Sequence, residues 1–142
     1  MQKLNSLLII LQVLLFSHIT SPVSAQMAED PLRPLRHLAN QAYVSSKDMV
    51  LHGSEGHLHE VVDYGNHMIR RVEALLEAVE ALDPETMLGK KNKIIASVKG
   101  MLDMAKKAVA FSEQNKSKLA MSAARKASFR AKQTRQRLEM IR

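Results

Sequence analysis

Along most of this chain, apolar residues recur at alternating spacings of three and four, with charged residues between them. That spacing places the apolar side chains on one stripe of a helix, and it is typical of helices that pack side by side. Three groups of turn-forming or helix-starting residues interrupt the pattern, at Gly53–Gly56, Asp83–Glu85 and Ser112–Asn115. The pattern predicts four helices, near residues 33–52, 56–82, 86–111 and 116–141.

The connections between these helices are short, and short connections favour antiparallel neighbours. The second helix has the most regular stripe, which runs through Leu58, Val61, Gly65, Met68, Val72, Leu75, Val79 and Leu82. Together these features predict an all-α fold, an up-down-up-down four-helix bundle built from two helical hairpins.

The two hairpins resemble each other in sequence pattern. A shift of 59 positions keeps the heptad phase and places Val61 on Ala120, Met68 on Ala127, Val72 on Ala131 and Val79 on Leu138. The match indicates that one hairpin was duplicated, although two unrelated heptad hairpins with equal loops would align partly in the same way.

The N-terminal segment has the three parts of a secretory signal. Lys3 supplies a positive charge, Leu7–Phe16 is almost wholly apolar, and the small residues Val23 and Ala25 precede the expected cleavage site. An uncleaved membrane anchor is the alternative, but the apolar run is about half of the roughly 20 residues that a spanning helix needs. We predict a signal peptide over residues 1–25 and, over residues 26–142, a periplasmic or secreted bundle domain without a transmembrane segment.

Composition and motifs restrict the chemistry. A chain of 142 residues has room for one domain, and the absence of Cys excludes disulfides, thiolate metal sites and a Cys nucleophile. Export without disulfides suits a bacterial periplasm. There is no Ser/His/Asp set, glycine-rich phosphate loop or HExxH motif, and Asp63 stands where a di-iron Glu-x-x-His motif begun by Glu60 would need His. The chain is therefore not expected to be an enzyme.

Charge is divided unequally between the hairpins. Residues 26–83 hold 10 acidic and 5 basic residues, whereas residues 84–142 hold 4 acidic and 15 basic ones. Either the two hairpins attract each other across the bundle, or the basic last helix binds an anionic macromolecule or a lipid surface. Nucleic acid is disfavoured as that partner, because export removes the chain from it and no series of aromatic residues accompanies the cations.

Histidines are concentrated at the first turn. Four of them, His52, His57, His59 and His67, fall within 16 consecutive residues. At about 100° per residue, His52 continues the core stripe and His57 starts the second helix on its core-facing side. We expect these two imidazoles to approach each other across the turn, where Glu55 and Glu60 could join them.

A second group points outward. His59, Asp63 and His67 are spaced four residues apart, with Glu60 beside them, so neighbouring members could share one cation. Imidazole and carboxylate together suit Cu(II), Ni(II), Zn(II) or Co(II). The alternatives are structural: His52 could favour the C-terminal helix dipole, and His59 and His67 could be ordinary solvated side chains.

A softer metal would need thioether ligands, which Met101 and Met104 could supply. Methionines at helical spacing more often belong to a core, so this pair is the weaker candidate.

The segment Val50–His57, VLHGSEGH, resembles the repeated H-G-x-E-G-H turn of the small metal-binding protein family, whose members are compact periplasmic four-helix bundles. The helix that follows, with His59 and His67, is also similar. The resemblance implies a protein that buffers or scavenges divalent metals, Cu(II) prominently, and does not catalyse. It makes His52, His57, His59 and His67 the candidate ligands.

The second hairpin departs from that family, in which both hairpins are rich in His. The shift of 59 positions places Phe111, Lys116, Lys118 and Lys126 opposite the four histidines. The chain would therefore be a relative with half the sites, holding one or two ions, or one with a changed function. The competing function is a non-catalytic interaction module that binds an anionic partner through the basic last helix.

Overall fold

The computed structural model describes residues 30–141, so the predicted signal peptide and its cleavage site lie outside the described residues. Four helices account for most of this range: α1 (Arg33–Ser54), α2 (Leu58–Ala81), α3 (Lys91–Glu113) and α4 (Ser117–Glu139). The part of the chain that is described contains no strand. Within residues 30–141, no helix combines the length and the apolar character needed to cross a bilayer.

The helices form a closed ring. Each one packs against its neighbour in the chain, and α4 packs against α1. Because the connections reverse the chain direction, neighbouring helices are antiparallel, and the predicted up-down-up-down bundle of two hairpins is confirmed. The two hairpins, α1–α2 and α3–α4, therefore form opposite sides of the bundle.

The core contains the residues of the predicted stripes. Most large buried side chains come from α1, α2 and α3, whereas α4 contributes Leu138 and otherwise mainly alanines, which let it pack closely against the other helices. Met101 is fully buried and Met104 packs against the core, which matches the structural interpretation of these methionines. The largest fully buried side chains include Met49, Met68, Leu75, Ile94, Met101 and Leu138.

The third helix begins later than the sequence pattern predicts, at Lys91 and not near residue 86. Asp83 does initiate a turn, because its Oδ1 accepts a hydrogen bond from the Glu85 N–H over 2.9 Å. The turn cannot continue as a helix, since Leu88 and Gly89 have φ angles of +48° and +69°.

The two hairpins turn in the same way, 59 residues apart. At the end of α1, the His57 N–H donates to the His52 carbonyl (3.0 Å) and Gly56 has a φ of +87°. At the end of α3, the Lys116 N–H donates to the Phe111 carbonyl (2.8 Å) and Asn115 has a φ of +55°. Both turns are Schellman motifs, in which a left-handed residue closes the helix. This identity of local structure supports the duplication that the sequence pattern indicates.

Candidate metal site at the first turn

The backbone of the first turn brings two histidines together. In a Schellman motif, the residue just after the left-handed position contacts the residue five positions before it in the chain. That contact is commonly apolar. Here the two positions are His57 and His52, with Gly56 at the left-handed position between them. Their imidazole rings lie 6.2 Å apart between centroids and 26° from parallel.

Two glutamates add carboxylate oxygens to this pair. Glu60, in the first turn of α2, places its Oε2 atom 2.7 Å from His52 Nδ1 and 3.1 Å from His57 Nδ1. Glu55, the C-cap of α1, places its Oε2 atom 3.5 Å from the same two nitrogens. Both carboxylates therefore lie beside the two imidazoles.

His52 is held in place from its other side. Its ring stacks on Tyr64 of α2, with centroids 5.1 Å apart and planes within 3° of parallel. Its Nδ1 atom is buried, and the Glu60 oxygen at 2.7 Å does not have the alignment of a hydrogen bond.

The donor set suits a transition metal. His52, Glu55 and His57 each offer a ligand atom, and these atoms all lie within 4.8 Å of one another. Two ligands that share one ion at bond lengths of about 2.0–2.2 Å lie roughly 3–4 Å apart. Small side-chain rotations would therefore close the group around an ion, and Glu60 would be a fourth ligand or an oxygen that orients the imidazoles.

The outward residues are arranged differently. The His59 side chain is 79% exposed, and its Nε2 atom lies 3.9 Å from Glu60 Oε1. Asp63 and His67 are also exposed, and His67 Nδ1 is hydrogen-bonded to the guanidinium of Arg70 over 3.1 Å. We call His52, Glu55 and His57 the inner cluster. Among residues 30–141, the ligand atoms of His59, Asp63 and His67 do not lie as close to one another as those of the inner cluster. The positive Arg70 beside His67 also opposes a bound cation.

Tyr64 was not among the predicted site residues. The signal that could have identified it is its spacing, because it lies one helical turn after Glu60 and so faces the same side of α2. Its ring lies parallel to the His52 imidazole and packs against it.

The turn between α3 and α4, which we call the second turn, serves as a comparison for the first turn within the same protein. It has the same backbone hydrogen bonds, but Phe111 and Lys116 replace the two histidines, Gln114 replaces Glu55, and Leu119 replaces Glu60. The protein therefore contains the same turn twice, once with side chains that could bind a metal ion and once without them.

Comparison of the chain with protein-family models, with curated proteins and with solved structures finds no match.

Proposed function

We propose that this protein is exported to the periplasm and there binds a divalent transition-metal ion at the first turn of the bundle, as a buffering or scavenging protein. The observation that supports this most directly is the convergence of His52, Glu55 and His57, with ligand atoms within 4.8 Å of one another. The turn resembles that of the small metal-binding protein family, whose members bind such ions.

The exposure of the cluster suits reversible binding. The His57 and Glu55 side chains are about half exposed, whereas those of His52 and Glu60 are largely covered. An ion could therefore enter and leave from the solvent side while the covered ligands keep their orientation. Such an open, partly preformed site favours exchange of the ion over its permanent retention.

Cu(II) is the favoured ion, because imidazole nitrogen and carboxylate oxygen suit it and because it binds most tightly among the first-row divalent ions. Ni(II), Zn(II) and Co(II) use the same ligands and are the alternatives. The inner cluster offers ligands for one ion, with His59 close enough to Glu60 to take part at its edge.

The test is calorimetric titration of the exported, processed protein with Cu(II), Ni(II) and Zn(II). We compare the wild-type chain with a His52→Ala/His57→Ala variant, and the matched control is His59→Ala/His67→Ala, which removes two exposed imidazoles from the neighbouring face. Circular dichroism of all three proteins verifies that the helices are retained.

We expect the wild-type protein to bind the metal ion with micromolar or tighter affinity. This binding should be lost in the His52→Ala/His57→Ala variant and largely kept in the control. If the wild-type protein binds none of the three ions, or if the first variant binds as tightly as the wild type, the proposal is wrong. Equal losses of metal affinity in both variants would indicate that the ion binds at the outer face of α2.

A further inference from the structure

The cations of α4 are not neutralised by the acidic hairpin. Two lysines of α3 pair with glutamates of α2, Lys99 with Glu80 (3.4 Å) and Lys106 with Glu73 (2.9 Å). In α4, Arg135 pairs with Glu139 of its own helix. Within residues 30–141, the other basic residues of α4 have no carboxylate within 4.0 Å; they are Lys118, Arg125, Lys126, Arg130, Lys132 and Arg137.

Some of these cations line a groove between α3 and α4. The groove has a volume of about 570 Å³, and Lys90, Lys93, Arg130 and Arg137 surround it. Ser97 and Gln133 also line it, and among residues 30–141 no Asp or Glu does. Because it lies where α3 begins and α4 ends, it is at the opposite end of the bundle from the histidine cluster.

Gly100 makes room for the Arg130 guanidinium against α3. A Cβ atom at this position would lie 2.6 Å from Nη1 and 3.1 Å from Cζ of Arg130, so the guanidinium rests against the backbone of α3. A glycine in the middle of a helix is destabilising relative to alanine. The repeat does not require glycine here, since Gln41 is the equivalent residue of α1.

The chemistry of the lining indicates the class of ligand. Guanidinium groups bind phosphate oxygens through two parallel hydrogen bonds, and lysines add point charges. Ile94, Ala96 and Met140 also line the groove and add apolar character; Ile94 is buried and Met140 is exposed. Four positive groups around an opening of this size, without an acidic residue, favour a ligand that carries more than one negative charge.

We propose that the groove between α3 and α4 binds a phosphate-bearing anion. Two sources share this chemistry, a soluble phosphorylated compound and the headgroup of an anionic phospholipid. The site is independent of the proposed metal site, because the two share no residue and lie at opposite ends of the bundle.

The first experiment is titration of inorganic pyrophosphate into the exported, processed protein, followed by calorimetry. A Lys93→Gln/Arg130→Gln/Arg137→Gln variant removes three cations from the groove. Its matched control, Lys118→Gln/Arg125→Gln/Lys132→Gln, removes three cations from the same half of the molecule, at positions outside the groove. We expect the groove variant to lose about tenfold or more in affinity, and the control to lose much less.

Gly100→Ala tests the geometry without changing charge. The new Cβ would clash with the Arg130 guanidinium, so this flexible side chain would have to leave its present position, and alanine would strengthen the helix. We expect weaker pyrophosphate binding together with an unchanged or raised melting temperature. Binding as tight as in the wild type would overturn the placement of Arg130 in the site.

The second experiment separates the two sources of phosphate. Sedimentation with phosphatidylcholine vesicles, with and without phosphatidylglycerol, reports binding to lipid headgroups. Binding to the phosphatidylglycerol vesicles without pyrophosphate binding, and lost in the groove variant, would identify the ligand as a lipid headgroup. The proposal is overturned if neither probe binds, or if the groove variant and its control lose binding equally.

Discussion

His57 donates its backbone N–H to the carbonyl of His52 over 3.0 Å, and the Nδ1 atoms of both imidazoles lie close to a single oxygen of Glu60, at 3.1 and 2.7 Å. The hydrogen bond belongs to the motif that ends α1, so the separation of the two histidines is determined by the local backbone. The candidate site is therefore built into the turn itself and does not depend on distant parts of the chain to bring its histidines together.

The first prediction concerns Gly56, whose φ of +87° is unfavourable for any residue with a Cβ. Gly56→Ala should lower the free energy of unfolding by about 1 kcal/mol, because alanine is strained at this φ angle. It should also weaken metal binding, because this turn positions His52 and His57. Gly89→Ala is the control, since Gly89 also has a positive φ (+69°) but lies far along the chain from the cluster. It should lower stability similarly, without changing metal affinity. Denaturant unfolding and metal titration measure the two effects, and an equal change in metal affinity would contradict the prediction.

The second prediction concerns Glu60, whose Oε2 atom contacts both imidazoles. Glu60→Gln removes the negative charge while keeping the shape, and it should weaken metal binding by about 10-fold or more. Asp63→Asn removes the same charge from an exposed residue on the outer face of α2. It should have only a small effect on metal binding. If the two variants weaken binding equally, Glu60 acts only through general electrostatics.

The third prediction uses the second turn, which has the same backbone motif without the ligands. A variant with Phe111→His, Gln114→Glu, Lys116→His and Leu119→Glu should bind one ion more than the wild type, because the backbone already places these positions like those of the first turn. Phe111 packs against the core, so we expect some loss of stability, which circular dichroism would measure. An unchanged number of bound ions in a folded variant would show that the backbone motif alone does not make the site.

The fourth prediction concerns export. Expression of the full chain in a bacterium should give a periplasmic protein whose N-terminus is Gln26, because the small residues before it suit signal peptidase. Mass spectrometry of the intact protein from the periplasmic fraction measures this directly. A protein that retains Met1 and sediments with the membrane would indicate the anchored alternative.

The fold and the inner cluster could be predicted because both depend on local pattern. Apolar spacing determines which face of each helix is buried, and short connections then leave antiparallel packing as the way to cover those faces. His52 and His57 follow from the same logic, since Gly56 ends the helix and the motif it forms brings its flanking residues into contact. The late start of α3 escaped prediction because a left-handed φ at Leu88 interrupts the expected helix, and leucine does not signal that conformation.

The sequence by itself thus determined the four helices, their buried stripes and the pairing of two histidines at one turn, because each of these depends on residues that are close together in the chain. Only the tertiary structure decided how side chains from different helices meet. It paired Glu73 and Glu80 of α2 with lysines of α3 and, within residues 30–141, left most cations of α4 without a carboxylate partner. It also stacked Tyr64 on His52 and laid Arg130 against Gly100. Those contacts depend on the rotation of each helix about its axis and on the side-chain conformations that neighbouring helices allow, which the spacing of apolar residues does not specify.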